Sequence, residues 1–302
     1  MMDGIKKKTA AGAAAGSLLM MLGVFATPAA GGEAAFKDCP QCAQWNQQRK
    51  PFRIYGNTYF VGTAGLSSIL VTSDYGHVLI DGGLAQSAPL IKANIEALGF
   101  KLTDVKAILV SHVHPDHAGG VAELQRQSGA QVYALRTAEA VLRTGRLTQD
   151  DPQSASKTAT ITPVPQVWVV QDDQLLGVGA LRMRAIATPG HTPGGTSWTW
   201  DACEDGNCLK MIYADSLSAV AAGKYRFKDH PEVLQAFASS FSRAESAPCD
   251  VLLTPHPDAS QLFQRLDPEG GTRAASIKDD TACRRYVQAA RDTLARKLAS
   301  EG

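Results

Sequence analysis

The sequence predicts an α/β fold with two similar halves, and three observations support this prediction. The chain is 44% hydrophobic and 20% charged, which is ordinary for a globular protein with a substantial core. Strand patterns open the sequence, strands and helices then alternate, and both arrangements recur in the second half. No linker-like stretch separates the halves, so we expect a single domain from residue 36 to residue 302.

The first half combines short alternating or apolar runs with amphipathic ones. We predict a strand at 52–62, two strands within 66–83, a helix at 87–100, a strand at 105–111, a helix at 118–129, a strand at 131–135, a helix through 142 and a strand at 166–171. Residues 144–165 are rich in Thr, Ser, Gln, Asp and Pro, which predicts a long loop. Long ordered loops in compact domains are often functional.

The second half begins with strands and ends with helices. We predict strands at 181–191, 196–203 and 208–216, a helix at 231–246, a strand at 249–257 and a terminal helix at 281–298.

The N-terminal residues have the layout of a secretory signal peptide. Lysines at 6–8 precede an apolar run at 9–26, and a stretch of small residues follows. A membrane anchor needs about 20 apolar residues, whereas this run is shorter and Pro28 follows it directly. We predict a signal peptide over 1–30, with its boundary within 26–35, a periplasmic location and no stable membrane association after cleavage. The remaining chain is nearly neutral and lacks basic runs, which argues against nucleic acid as a partner.

An even number of cysteines in an exported chain predicts disulfide bonds. The six are Cys39, Cys42, Cys203, Cys208, Cys249 and Cys283. Their pairing is open from the sequence alone. Cys203 and Cys208 flank a turn-like EDGN run and could close a hairpin, in which case Cys249 and Cys283 would close a long C-terminal loop. The CPQC at 39–42 has the spacing of a redox or zinc half-site, with a local disulfide or a thiol pair as the plainer alternatives.

The stretch SHVHPDHAGG at 111–120 concentrates metal-binding side chains. It contains His112, His114, Asp116 and His117. Pro115 prevents these four residues from sharing one helix, and the stretch begins where the strand at 105–111 ends. Ligands of open α/β folds bind at the carboxyl ends of strands, and neutral imidazole is the commonest metal ligand. We therefore predict a metal site here.

Two further histidines follow predicted strands in the same way. His191 lies in TPGHTPGG, and His256 lies in TPHP. Five histidines and one aspartate suit two metal ions with three protein ligands each, and this donor set favours zinc over iron or manganese. His77 and His230 are predicted not to be ligands.

These motifs resemble the metallo-β-lactamase superfamily. The HxHxDH at 112–117 is its hallmark, TPGHTPGG and TPHP match its later histidines, and IDGG at 80–83 matches an early turn whose acidic residue supports the metal loop. Within the superfamily, GHTPGGTSWTW, YADSLSA, CDVLLTPHP and the pair Cys249/Cys283 look like subclass B3. The resemblance runs from about residue 52 to residue 260. It implies a four-layer αββα sandwich with the site at one edge.

The resemblance also implies roles for individual residues. One zinc ion would be held by His112, His114 and His191, and the other by Asp116, His117 and His256. A hydroxide bridging the two metals would be the nucleophile, and Asp116 would orient it and help to move a proton. Ser216 and Ser218 would bind the substrate carboxylate. Apart from the resemblance, the position of Gln153 in the long polar loop predicts that it contacts the substrate from above.

The implied activity is hydrolysis of penicillins, cephalosporins and carbapenems, which would give antibiotic resistance. The expected partner is a small β-lactam, and we expect a monomer. The alternative is another exported dimetal hydrolase, a lactonase or a thioesterase, in which Asp215 would bridge the two metals. A metal-binding protein without catalysis is a third possibility.

Overall fold

The computed structural model describes residues 39–156, 158–266 and 277–302, together with Met1, Met2 and Gly4. The predicted signal peptide and its boundary otherwise lie outside the described residues. Within the described part, the chain forms two β-sheets with helices on their outer faces.

The first sheet has seven strands, which lie side by side in chain order. They are β1 (Phe52–Tyr55), β2 (Thr58–Phe60), β3 (Ile69–Val71), β4 (His77–Ile80), β5 (Val105–Leu109), β6 (Gln131–Leu135) and β7 (Val167–Val170). Strands β1 to β4 are antiparallel, and β4 to β7 are parallel. The prediction of one strand at 52–62 was wrong. Gly56 adopts a φ of 51°, which glycine tolerates without strain, and the run folds there into the β1–β2 hairpin.

The second sheet has five strands in the order β12-β11-β10-β9-β8. They are β8 (Leu175–Val178), β9 (Leu181–Ala187), β10 (Thr196–Glu204), β11 (Asn207–Tyr213) and β12 (Val251–Leu253). Strands β11 and β12 are parallel, and the other pairs are antiparallel. Strand β8 was not predicted from the sequence. It is a four-residue edge strand in which Leu176 alone is buried, and so short a run carries little periodicity.

Eight α-helices complete the described fold. They are α1 (Cys42–Trp45), α2 (Ala88–Ala97), α3 (Pro115–Ala118), α4 (Val121–Ser128), α5 (Arg136–Thr144), α6 (Pro231–Ser246), α7 (Leu262–Leu266) and α8 (Ala282–Ser300). The helix predicted at 118–129 begins at Val121, after the separate turn of α3. No helix in the described ranges is long and apolar enough to cross a membrane.

The layers follow from which face of each strand is apolar. A central cluster fills the space between the sheets and includes Phe60 and Ile80 from the first sheet and Trp198 and Met211 from the second. The opposite face of the first sheet packs against α2, α4 and α5. Strands β11 and β12 of the second sheet pack against α8, which also packs against α6. The fold is therefore the predicted α/β fold, with four layers in the order αββα.

The six cysteines form three disulfide bonds. Cys203 pairs with Cys208 across the β10–β11 hairpin, and Cys249 pairs with Cys283, which joins the start of β12 to α8. The CPQC cysteines, Cys39 and Cys42, pair with each other. The CPQC sequence is therefore a local disulfide in this structure, and not half of a metal site.

Candidate metal centre

The HxHxDH stretch is divided between a loop and a short helix. Strand β5 ends at Leu109, His112 lies in the following loop, and His114 is the N-cap residue of α3. Pro115 occupies the first turn of α3, where its missing N–H costs nothing, so this proline starts the helix. Asp116 and His117 lie within α3. The side chains of the loop, His112 and His114, can therefore join one group of ligands, while those of the helix, Asp116 and His117, join another.

The structure brings the six predicted ligands together as two groups of three. The first group consists of His112, His114 and His191, whose ligand atoms lie within 4.8 Å of one another. Their ring centroids are 4.8 to 5.0 Å apart. His191 comes from the β9–β10 loop, so this group joins the two sheets.

The second group consists of Asp116, His117 and His256. His117 Nε2 is 3.1 Å from Asp116 Oδ2 and 3.3 Å from His256 Nε2, and His256 Nε2 is 3.3 Å from Asp116 Oδ2. The rings of His112 and His117 are only 4.3 Å apart, so the two groups are adjacent.

Each of four histidines has one nitrogen engaged away from its group. His112 Nδ1 is 2.7 Å from Asp215 Oδ1, His191 Nδ1 donates to the Ser218 carbonyl at 2.8 Å, and His256 Nδ1 donates to the Gly65 carbonyl at 3.1 Å. His114 Nε2 is 3.3 Å from Asp151 Oδ2. For His112, His191 and His256, these contacts fix the tautomer and leave the other nitrogen to face its group.

The ring of His112 shows most clearly how one nitrogen is held by a neighbour while the other faces the group. His112 Nε2 is buried and has no hydrogen-bond partner among the described residues, although buried polar atoms are nearly always partnered. Asp215 contacts the opposite nitrogen of the ring and belongs to neither group. Its Oδ2 atom faces Gly195, where a Cβ atom would come within 2.5 Å of it. Only glycine leaves room for this carboxylate.

Asp81 supports the loop that carries His112, as the IDGG motif led us to expect. Its carboxylate accepts hydrogen bonds from the Ser111 N–H at 2.7 Å, the Ser111 hydroxyl at 2.6 Å and the Tyr213 hydroxyl at 2.8 Å. Strand β10 holds the same loop from the other sheet, because the Thr196 N–H donates to the Ser111 carbonyl at 2.8 Å. The position of His112 is therefore fixed by both sheets.

The electrostatics of the site suit metal binding. Burial lowers the pKa of His112 well below its ordinary value and lowers the pKa of His191 to about 3, so both imidazoles are neutral near pH 7. Burial alone would raise the pKa of Asp116, but His117 and His256 beside it hold that pKa well below its usual range. His112 and His191 thus offer neutral imidazoles and Asp116 offers an ionised carboxylate, the protonation states that metals require.

Two cavities flank the groups. One of about 640 Å³ is lined by His114, Asp116, Gln153 and Trp45. The other, of about 320 Å³, is lined by His256, Ser216 and Ser218 and by part of α8.

The predicted substrate-binding residues lie at these cavities. The Gln153 side-chain nitrogen is 3.4 Å from His114 Nδ1. The Ser218 hydroxyl is 3.3 Å from His191 Nδ1, so this serine contacts a histidine of the first group as well as the cavity. Ser216 makes no side-chain hydrogen bond that involves the described residues and is 7% exposed, which leaves its hydroxyl available to a ligand.

Three residues that shape the site were not predicted from the sequence. Trp45 packs its ring 4.9 Å from the ring of His256, Asp151 contacts His114, and the Tyr286 hydroxyl hydrogen-bonds the backbone beside Ser216. These contacts join positions far apart in the chain. No local pattern identifies such residues, because each one has its role only after the chain has folded.

Comparison with known proteins identifies the family. The profile of the metallo-β-lactamase superfamily matches residues 62–204. The Rm3 metallo-β-lactamase is 50% identical with a TM-score of 0.84, and the alignment covers 87% of this chain and 98% of that one. MEM-A1, a subclass B3 metallo-β-lactamase from a soil metagenome library, is 45% identical with a TM-score of 0.82 over 85% and 98% of the two chains.

Curated relatives match over a shorter range. A hydroxyacylglutathione hydrolase of Rhodopseudomonas palustris (strain BisB5) is 32% identical over 162 residues, which cover 51% of this chain and 52% of that protein. The chain spans about half the length of the curated relatives it matches.

Proposed function

The chain belongs to the metallo-β-lactamase superfamily, as a hydrolase similar to subclass B3 enzymes, and we propose that it hydrolyses the amide bond of β-lactams with two zinc ions. The proposed ligands are His112, His114 and His191 for one ion, and Asp116, His117 and His256 for the other. The proposed substrates are penicillins, cephalosporins and carbapenems.

The spacing of the second group is the observation that carries this proposal. Three ligands of one tetrahedral zinc ion, with bonds of about 2.0–2.2 Å, lie about 3.3–3.6 Å apart. The three donor atoms of Asp116, His117 and His256 are 3.1 to 3.3 Å apart. A carboxylate can form an ion pair with one imidazolium, but a second imidazole Nε2 atom within 3.3 Å of both partners also matches a shared cation. The residues therefore fit a zinc ion.

When bound, zinc ions lower the pKa of a water molecule toward about 7 and polarise the carbonyl that is attacked. The chain supplies orientation. The ionised Asp116 carboxylate accepts a hydrogen bond from the attacking water, and its position beside His117 and His256 aims that water at the space between the two groups. Three histidines are kept in the required tautomer by hydrogen bonds: His112 by Asp215, His191 by the Ser218 carbonyl and His256 by the Gly65 carbonyl.

The two cavities suggest how a β-lactam would lie. The ring carboxylate would accept hydrogen bonds from Ser216 and Ser218 in the smaller cavity. The acyl side chain would then occupy the larger cavity, beside Gln153 and Trp45. The amide bond would lie between the two groups of ligands.

A thioesterase is the second candidate, because the curated relatives are hydroxyacylglutathione hydrolases. In a thioesterase of this superfamily, Asp215 would be expected to bridge the two metals. The Asp215 carboxylate instead contacts His112 Nδ1, on the side of the ring away from Nε2, which has no hydrogen-bond partner within the described ranges. This contact favours the β-lactamase.

The direct test is a comparison of substrates on one preparation of the zinc-loaded protein. We expect turnover of nitrocefin and imipenem. The kcat/KM for S-lactoylglutathione should be at least about 100-fold lower, because this thioester lacks the ring carboxylate that the site would bind and so makes fewer contacts. Preference for the thioester would replace the proposal with the second candidate.

The proposed location is the periplasm. Three disulfide bonds support export to an oxidising compartment, where such bonds persist.

A further inference from the structure

The segment 215–218 contacts both the first group of ligands and the smaller cavity. Through Asp215 Oδ1 and the Ser218 carbonyl it holds His112 and His191. It also presents Ser216 and Ser218 to the smaller cavity. The segment follows β11 but is not itself part of a strand or helix, so something other than sheet hydrogen bonds must fix its backbone beside Ser216.

Tyr286 of α8 provides those bonds. Its hydroxyl donates to the Asp215 carbonyl at 2.9 Å and accepts from the Leu217 N–H at 3.3 Å. One hydroxyl therefore joins the peptide groups on either side of Ser216. The Cys249–Cys283 disulfide anchors α8 to the start of β12 one helical turn before Tyr286, and the tyrosine ring packs against buried residues of α8 and β12.

We propose that Tyr286 is a positioning residue, which fixes the Ser216 hydroxyl for the substrate carboxylate through the Asp215–Leu217 backbone. This proposal rests on the proposed function. The peptide groups that Tyr286 joins are buried, since Asp215 is 0% and Leu217 1% exposed. Without the Tyr286 hydroxyl, the Asp215 carbonyl and the Leu217 N–H can gain other hydrogen-bond partners only if their peptide planes rotate. Such a rotation moves Ser216, which lies between them. A hydroxyl–carboxylate hydrogen bond has a narrow range of length and angle, so a small movement weakens it.

The test removes the hydroxyl and keeps the ring, in Tyr286→Phe. The matched control is Tyr55→Phe, which removes a comparable bond from a tyrosine hydroxyl to the Asn207 carbonyl at 3.0 Å, outside both cavities. For benzylpenicillin, Tyr286→Phe should raise KM about three- to tenfold and change kcat less than twofold, in line with the loss of one net hydrogen bond. Both variants should keep two zinc ions and wild-type circular dichroism, and Tyr55→Phe should keep the wild-type KM.

A double-mutant cycle shows whether the effect passes through Ser216. In a Ser216→Ala background, Tyr286→Phe should change KM less than about twofold, because the group it positions is gone. An equal rise in both backgrounds, or no rise in either, would overturn the proposal.

Amide hydrogen exchange of the 215–218 segment gives a readout that needs no turnover. Exchange at Leu217 should be at least about tenfold faster in Tyr286→Phe than in the wild type or in Tyr55→Phe, because its bond to Tyr286 is lost. If the zinc-loaded wild type hydrolyses no β-lactam, the proposed function fails by that result alone. Unchanged exchange at Leu217 overturns the role of Tyr286 whether or not the wild type is active.

Discussion

At the scale of the residue, the contact between Asp215 and His112 decides how the first group is arranged. The bond at 2.7 Å holds His112 Nδ1, and the buried Nε2 atom has no hydrogen-bond partner in the part of the chain that the structure describes. A histidine without such a partner can turn either ring nitrogen toward a metal. The buried carboxylate removes that freedom and fixes which nitrogen the ring presents to its group.

Removing this carboxylate should weaken the first metal site. For Asp215→Ala we expect zinc affinity at one of the two sites to fall about 10- to 100-fold, the usual cost of losing a partner behind a ligating histidine. Competition with a chromophoric chelator measures this affinity. Asp201→Ala is the control, because Asp201 is exposed and pairs with the exposed Lys210. Wild-type affinity at both sites of Asp215→Ala would contradict the role of Asp215.

The serines should affect substrate binding more than zinc binding. In the double variant Ser216→Ala with Ser218→Ala we expect KM for benzylpenicillin to rise about tenfold or more, since two hydrogen bonds to a charged group are lost. Steady-state kinetics and zinc analysis on the same samples check this. If KM and kcat stay unchanged for every β-lactam tested, the serines do not bind the substrate carboxylate.

At the scale of the element, each ligand-bearing loop follows the end of a strand. Strands β5, β9 and β12 end just before the loops that carry His112, His191 and His256. Helix α8 then closes the site from the outside, and the Cys249–Cys283 disulfide ties it to β12 across 34 positions of sequence. The C-terminal helix thus contributes to the site although it carries no ligand.

The disulfides should differ in their contribution to stability. In the chain-entropy model, a disulfide that closes a loop of 34 residues stabilises the folded protein by about 3–4 kcal/mol, and one that closes a loop of 5 residues by about 2 kcal/mol. Cys249→Ser with Cys283→Ser should therefore lower the free energy of unfolding more than Cys203→Ser with Cys208→Ser does. Urea denaturation compares the two double variants. The reverse order would show that closing the longer loop is not what stabilises the protein.

Elements with strong local patterns were predictable from the sequence. Examples are α2, α6 and α8, whose apolar positions recur at helical spacing, and β5, which is an almost uninterrupted apolar run. Strand β8 and the β1–β2 hairpin were not found as such. The first is short and exposed at the sheet edge, and the second depends on one glycine turn within a run that otherwise alternates like a single strand.

At the scale of the whole molecule, the order of strands and helices predicted the α/β class with two halves, and the resemblance supplied the four layers. The six expected ligands come from three separate segments, which follow β5, β9 and β12, yet they were predictable because each segment begins with turn residues at the end of a strand. Their division into two groups was implied by the resemblance alone. The contacts of Asp151, Trp45 and Tyr286 depend on packing between distant parts of the chain, which no local pattern encodes.

The measurement that tests the central claim most directly is nitrocefin turnover as a function of bound zinc. The purified protein is stripped with a chelator, and zinc is then returned in steps while metal content and initial rate are measured on the same samples. We expect no turnover without metal and recovery that is complete at two zinc ions per chain. A protein that carries two zinc ions and hydrolyses neither nitrocefin nor imipenem would contradict the account.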